Sequence, residues 1–294
     1  MRQVNINTFS IVGYDPVEQA WGVAVASKFL AAAAVVSWAR AGAGAVATQA
    51  FAKMSFGPDG LDLMESGMSA QQALENLLAD DPKAAHRQVG LIDANGNATA
   101  HTGAECFAWA GHKIGEYYTC QGNILTGEET LDAMANAFET TKGPLADRLL
   151  AALLAGDDVG GDKRGKQSAG ILVVKADASY GGDTDRLMDL RVDDDPEPVK
   201  RLAALVKMHY LFFGTPKPED LLDIDRHIAT ELQQILMRTG HYQGPISGEW
   251  DTASKEAFWA FCGVENLEER WSLDQEPDKI DRVTLDYIRE RFSA

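Results

Sequence analysis

The chain has 294 residues, 45% of them hydrophobic, and a formal net charge of -17. That acidity excludes a phosphate-backbone partner, which demands clustered Lys and Arg, and it disfavours anionic membranes on the same ground, so neither nucleic acid nor membrane is expected. Its three cysteines, Cys106, Cys120 and Cys262, are odd in number and lack zinc-like spacing, so neither a disulfide framework nor a metal knuckle is indicated.

The start, Met1-Arg2-Gln3-Val4-Asn5, lacks the basic-then-apolar pattern of a secretory signal. The longest apolar run, residues 29–39, is far short of the roughly 20 residues that span a bilayer. A soluble, cytoplasmic protein is expected, and about 100–200 residues per domain leaves room for one large domain and one small one.

Thr8-Phe9-Ser10-Ile11-Val12-Gly13-Tyr14 is rich in residues that favour an extended, half-buried chain, and Asp15-Pro16 interrupts it. Trp21-Gly22-Val23-Ala24-Val25-Ala26-Ser27-Lys28 answers it, which predicts a β-hairpin opened by a hydroxyl. A Thr or Ser heading the first strand is where one hydrolase superfamily keeps its nucleophile. Threonine is equally an ordinary strand residue, packed by its β-branch.

A third strand is predicted over residues 44–50, followed by helices over 58–64 and 69–79, with Ser69 as N-cap and Gln72 three residues on. Residues 87–93 and 98–101 flank the turn signal Asn95-Gly96 and predict a second hairpin. Short strands are expected at 105–110 and 117–120, then helices at 128–139 and 145–154, the latter stopped by Gly156. Its residues Leu149, Leu150, Leu153 and Leu154 recur at helical spacing and mark a core face. Strands at 168–174 and 187–192 complete the block. Strands and helices come in groups rather than in βαβ alternation, so the expected class is α+β, a four-layer αββα sandwich.

Asp195-Pro196 is expected to cap a helix with proline at its first position, and the chain then reads as helical to its end. Pro216-Lys217-Pro218 is the linker signal, which divides the chain into residues 1–214 and a small α-helical domain over 215–294.

Three places in the first domain can carry chemistry. The loop Gly160-Gly161-Asp162-Lys163-Arg164-Gly165-Lys166-Gln167-Ser168 nearly spells a phosphate loop. It follows a helix, precedes a strand and has Gln167 where Ser or Thr would hold magnesium, so the nucleotide reading fails. What remains is either a basic loop that grips a carboxylate or phosphate through Asp162, Arg164, Lys166, Gln167 and Ser168, or an exposed turn. The second place is Trp109-Ala110-Gly111-His112 with Gln121-Gly122-Asn123, whose amides can donate to an oxyanion; polar turns explain them nearly as well. His112 is either a base or a structural hydrogen-bonder. The third, Asp189 with Asp193, Asp194 and Asp195, is read as solvated strand-end and cap groups in preference to a cation site. No metal and no cofactor are expected.

Together the hairpin, Gly44-Ala45-Val46-Ala47-Thr48-Gln49-Ala50, Trp109-Ala110-Gly111-His112, Gln121-Gly122-Asn123, the 160–168 loop and Asp189-Leu190-Arg191-Val192-Asp193-Asp194 resemble the domain-of-unknown-function 1028 family, over about residues 8–210. The resemblance implies a fold like that of the N-terminal-nucleophile hydrolases. On that expectation the protein is an amide-bond hydrolase acting on a small anionic substrate. Thr8 would be the nucleophile, with Ser10 as a second candidate. Lys28 would be a tuning charge, and Gln121 or Asn123 an oxyanion donor. The mechanism needs a free α-amine on the nucleophile, hence cleavage after Asn7. A non-catalytic binding protein on the same scaffold is the alternative.

Further on, Gly240-His241-Tyr242-Gln243-Gly244-Pro245-Ile246-Ser247-Gly248-Glu249-Trp250-Asp251, between two helical stretches, resembles a peptidoglycan-binding module. Such modules pack amphipathic helices around a turn, so a structural or homo-oligomerising role stands beside cell-wall glycan binding.

Overall fold

The computed structural model describes residues 8–292. Residues 1–7, which hold the stretch read for an export signal and the proposed cleavage point after Asn7, lie outside the described residues. The chain divides into two compact units between Leu205 and Val206, ahead of the Pro216-Lys217-Pro218 segment.

The first unit runs β1 (Thr8–Asp15), β2 (Ala20–Ser27), α1 (Ala33–Val36), β3 (Ser37–Arg40), β4 (Gly44–Ala50), α2 (Phe56–Glu65), α3 (Ala70–Ala79), β5 (Arg87–Asp93) and β6 (Ala98–Thr102). It continues with β7 (Gly111–Gly115), β8 (Tyr118–Gly122), α4 (Glu129–Thr140), α5 (Leu145–Asp158), β9 (Ser168–Lys175) and β10 (Arg186–Val192), and enters α6 (Pro198–Phe213), which the division crosses. One antiparallel sheet has the order β10-β9-β2-β1-β8-β7, the other β3-β4-β5-β6.

The two sheets face each other. Val12, Val23 and Val25 from one meet Ala45, Ala47 and Ile92 from the other in a shared buried cluster. Helices α4 and α5 cover the outer face of the six-stranded sheet. Gly22 lets α5 lie close, because a Cβ there would stand 2.7 Å from a Leu149 methyl. Helices α2 and α3 cover the other sheet through Phe56, Leu61, Leu74 and Leu77 against Val46 and Leu91. The class is therefore α+β with αββα layering. Because β1 and β2 are covered on both faces, every residue in them is buried, and apolar residues stand on both faces of each strand instead of alternating with exposed polar ones.

Local chemistry sets the boundaries. Ser69 and Gln72 form a reciprocal capping box on α3. The Asn95-Gly96 turn has Gly96 at φ 82°, the left-handed region that glycine tolerates best. Four expectations need correction. Residues 105–110 form no strand; the carbonyls of Phe107 and Trp109 accept from the N–H groups of Ile124 and Leu125 in the facing loop, and the strand starts at Gly111. Gly156 does not stop α5, which runs on to Asp158; a Cβ there would lie 2.8 Å from Met134, so the position needs a bare backbone. Helix α6 begins at Pro198, because Asp195 spends its carboxylate on the N–H of Glu197 at 2.7 Å. The second unit is not wholly helical.

That second unit holds β11 (Leu221–Asp223), α7 (Arg226–Arg238), α8 (Thr252–Glu265), β12 (Lys279–Asp281) and α9 (Arg282–Phe292), with β11 and β12 paired as a small antiparallel sheet. Asp225 caps α7 and Asp251 caps α8. Phe258, Phe261, Leu232 and Trp271 form its core. Among the described residues, no helix is long and apolar enough to cross a membrane.

Candidate functional site

At one end of the six-stranded sheet, four adjacent strands finish on polar side chains. Ser168 pairs with Ser27, and Ser27 with Thr8; the N–H of Asn123, just past β8, donates to the Thr8 carbonyl at 3.0 Å. All four are buried. Side chains alternate along a strand, so Thr8 faces the same way as Ser10, toward the second sheet. The row Ser168–Ser27–Thr8–Asn123 therefore closes one end of the seam between sheets, and the seam turns apolar at Val12 and Val23.

Behind that row lies a buried amide network whose polarity can be worked out from main-chain atoms. Gln88 directs Nε2 at the carbonyls of Gly122 (2.7 Å) and Gly111 (3.0 Å), which only accept. Its Oε1 must then accept, and it does so from Gln49 Nε2 and Asn123 Nδ2, both at 2.8 Å. Gln49 Oε1 accepts in turn from the Ser10 hydroxyl at 2.6 Å. Gln121 Nε2 closes the network on Ser10 Oγ (2.6 Å) and Ser10 O (3.2 Å). Gln121 fits because Gly90 faces it, where a Cβ would lie 2.2 Å from Gln121 Oε1.

This geometry assigns each candidate its present bonds. Ser10 is held at both hydroxyl valences by amides, neither of which is a base. Thr8 Oγ1 donates to the Ala26 carbonyl, again not a base. The donors of Gln121 and Asn123 that an oxyanion would use are engaged inside the network. Asn123 Oδ1, by contrast, is buried and has no hydrogen-bond partner among the described residues.

The 160–168 loop adjoins the row. Asp162 is its hub: Oδ2 accepts from the Lys28 N–H at 3.0 Å, while both oxygens bind the Arg164 guanidinium. Lys28 Nζ donates to the Lys166 carbonyl at 3.1 Å. Lys166 itself reaches Asp157 at 2.6 Å and Glu197 at 3.2 Å; partial burial opposes its charge, but these two carboxylates outweigh that and raise its pKa. Gln167 Nε2 donates to Asp194, and Ser168 Oγ donates to the Phe29 carbonyl. The loop's Arg164 and Lys166 are thus engaged with the protein's own carboxylates.

His112 stands off the row but joins the network, its Nδ1 2.9 Å from Thr102 Oγ1, to which Gln88 also donates. Desolvation, with His101 adding a smaller repulsion, lowers its pKa. Asp189 is paired with Arg191 and Arg186. Among the described residues, no group of three or more His, Cys, Asp or Glu side chains is placed to hold a metal ion.

Gln49, Gln88 and Thr102 escaped the sequence reading, as did Ser27. The available signal was a polar side chain in phase with inward-facing non-polar residues: Gln49 with Ala47 and Ala45, Gln88 with Gly90 and Ile92.

Residues 212–288 match the family described as "Putative peptidoglycan binding domain". A crystal structure of a Silicibacter pomeroyi protein assigned to DUF1028 is 30% identical, with a TM-score of 0.64, covering 69% of this chain and 86% of that one. Anbu (ancestral beta-subunit) from Yersinia bercovieri is 12% identical at a TM-score of 0.31, covering 68% of this chain and 96% of that one. No curated protein matches the chain significantly. Residues 8–202 match the model of the family of unknown function DUF1028, and with a relative of that family 30% identical over most of its length, the chain belongs to it.

Proposed function

We propose that the protein is an amide-bond hydrolase of the N-terminal-nucleophile type, active once its chain begins at Thr8. The observation that carries this reading is the polar row at the ends of four neighbouring strands, with Thr8 at its centre and heading β1. Thr8 Oγ1 would attack the substrate carbonyl, and its freed α-amine would take the hydroxyl proton and pass it to the leaving nitrogen as the C–N bond breaks. Water would then hydrolyse the ester and restore the hydroxyl. Lys28, which follows the strand partner of Thr8, would supply positive charge beside the nucleophile. The hydroxyl's present partner, a carbonyl, agrees with the need for that amine.

Intact mass of the purified protein tests the first step, and a protease site placed ahead of Thr8 tests the second. After cleavage the folded chain should hydrolyse members of a panel of acyl and aminoacyl anilides; Thr8→Ser should retain the activity and Thr8→Val should lose it. A cleaved, folded chain that neither turns over nor is acylated by a β-lactone probe sinks the reading.

The burial of Thr8 supports a second reading, a non-catalytic binding protein on the same scaffold. The C-terminal unit we read as a packing or self-association module, because Phe258, Phe261 and Trp271 are turned into its own core. Retention of the protein on purified peptidoglycan would refute that part.

A further inference from the structure

We infer that Asn123 Oδ1 is the acceptor of a binding site for a primary ammonium group. The atom is buried, has no partner among the described residues, and lies in the polar row across from Thr8. Buried polar atoms without partners are few in folded proteins, and each needs a reason; a donor that arrives from outside the resting fold is one.

The direction of the amide is dictated. Gly122 O and Gly111 O hold Gln88 Nε2, so Gln88 Oε1 faces Asn123, and Asn123 must present Nδ2 to it at 2.8 Å. Turning the Asn123 amide over would set two carbonyl oxygens against each other. Oδ1 is therefore an acceptor by construction, and it repels an anion. An ammonium group supplies three donors and no acceptor, so it satisfies Oδ1 without leaving a lone pair of its own unmet. Hydroxyl oxygens of Thr8, Ser27 and Ser168 occupy the same row. The net charge of -17 also favours a cation over an anion.

Two amines meet this description. One is the α-ammonium of Thr8 itself after cleavage following Asn7, in which case the inference rests on the hydrolase reading. The other is the amine of a small ligand or substrate, which needs no cleavage.

Two measurements, one on the full-length protein and one on the chain cleaved ahead of Thr8, separate them. Thermal midpoints of wild type, Asn123→Leu and Asn123→Asp are recorded in methylammonium chloride, with tetramethylammonium chloride as the cation that lacks N–H donors. In parallel, the chain with a protease site ahead of Thr8 is cleaved after folding, and its α-amine is titrated by NMR in the three backgrounds. A ligand amine predicts that methylammonium alone raises the wild-type midpoint and that Asn123→Leu loses the effect. The Thr8 amine predicts an α-amine pKa lower in Asn123→Leu by about one unit and higher in Asn123→Asp, since an acceptor favours the charged form. If Asn123→Leu does not fold, Asn123→Asp carries the test with the opposite sign. Midpoints blind to methylammonium, together with an α-amine that titrates identically in every background, overturn the inference. Absence of hydrolysis after cleavage counts against the hydrolase reading alone, because neither measurement depends on turnover.

Discussion

Ser10 on β1 donates its hydroxyl to Gln49 Oε1 on β4 at 2.6 Å, a buried side-chain bond from one sheet to the other. Gln49→Leu would leave that hydroxyl and Gln88 Oε1 each short of a partner. An unmet buried polar group costs about 1–3 kcal/mol, so Gln49→Leu should destabilise by at least that much, and Ser10→Ala by less. Urea unfolding of both singles and the double variant gives the coupling; strict additivity would mean that the bond contributes nothing.

Gly90→Ala should be as harmful as a large core substitution, although it adds one methyl. The new Cβ would fall 2.2 Å from Gln121 Oε1, so the buried amide would have to leave the positions from which it bonds Ser10 and Thr119. Overpacking of this kind costs about 1–3 kcal/mol, and here the loss of the Gln121–Ser10 bonds adds to it. A Gly90→Ala protein with an unchanged denaturation midpoint would contradict the packing described.

Arg87 and Asp81 form a buried ion pair at 2.7 Å, with the Arg87 guanidinium 4.9 Å from the centre of the Phe51 ring. Removing one partner strands a buried charge, so Arg87→Met should cost about 3–5 kcal/mol. The hydrogen bond from Arg87 holds the Asp81 carboxyl below its ordinary range. A depressed folded pKa contributes stability above the unfolded value, and this is lost as pH falls through the folded one. Asp81→Asn should therefore flatten the acid limb of the stability curve below about pH 4, measured by thermal melts.

His112 titrates the other way from a salt-bridged histidine. Its pKa is lowered, so the unfolded chain binds more protons near the ordinary histidine value of about 6.5. Stability should then decline as pH falls through that value, and His112→Gln should remove this part of the decline. A pH-stability profile identical in the two proteins would show that His112 feels no such environment.

In the second unit, the buried Arg270 guanidinium donates through Nε to the Leu211 carbonyl at 2.7 Å, binds the Tyr210 carbonyl, and pairs with Asp281 at 3.5 Å. Arg270→Met should release all three and lower the melting of that unit by the equivalent of about 3–5 kcal/mol. Calorimetry resolves the two units if they melt apart; an unshifted C-terminal transition would refute the role.

The layered fold was legible because its signals are local. Hydrophobic runs from Thr8 and Trp21, the Ser69 cap and the Asn95-Gly96 turn each act within a few residues. Residues 105–110 misled because Phe107 and Trp109 have strand-like composition, while their carbonyls are taken by the N–H groups of Ile124 and Leu125, far along the chain. Gly156 misled because a glycine that ends a helix and one pressed against Met134 look alike in sequence. The amide network was least legible of all. Gln49 and Gln88 meet by the pairing of β4 with β5, and only the stacking of the two sheets brings Gln121 to them.

The Asp162 carboxylate holds the Lys28 N–H and the Arg164 guanidinium at once, with its own side chain only 1% exposed. Lifting the 160–168 loop would strip the Lys28 N–H from that buried anion, and Lys166 from its partners Asp157 and Glu197 outside the loop. The loop is therefore a fixed wall of the polar row and not a gate, and the Lys28 amide should exchange its hydrogen only when the whole unit opens.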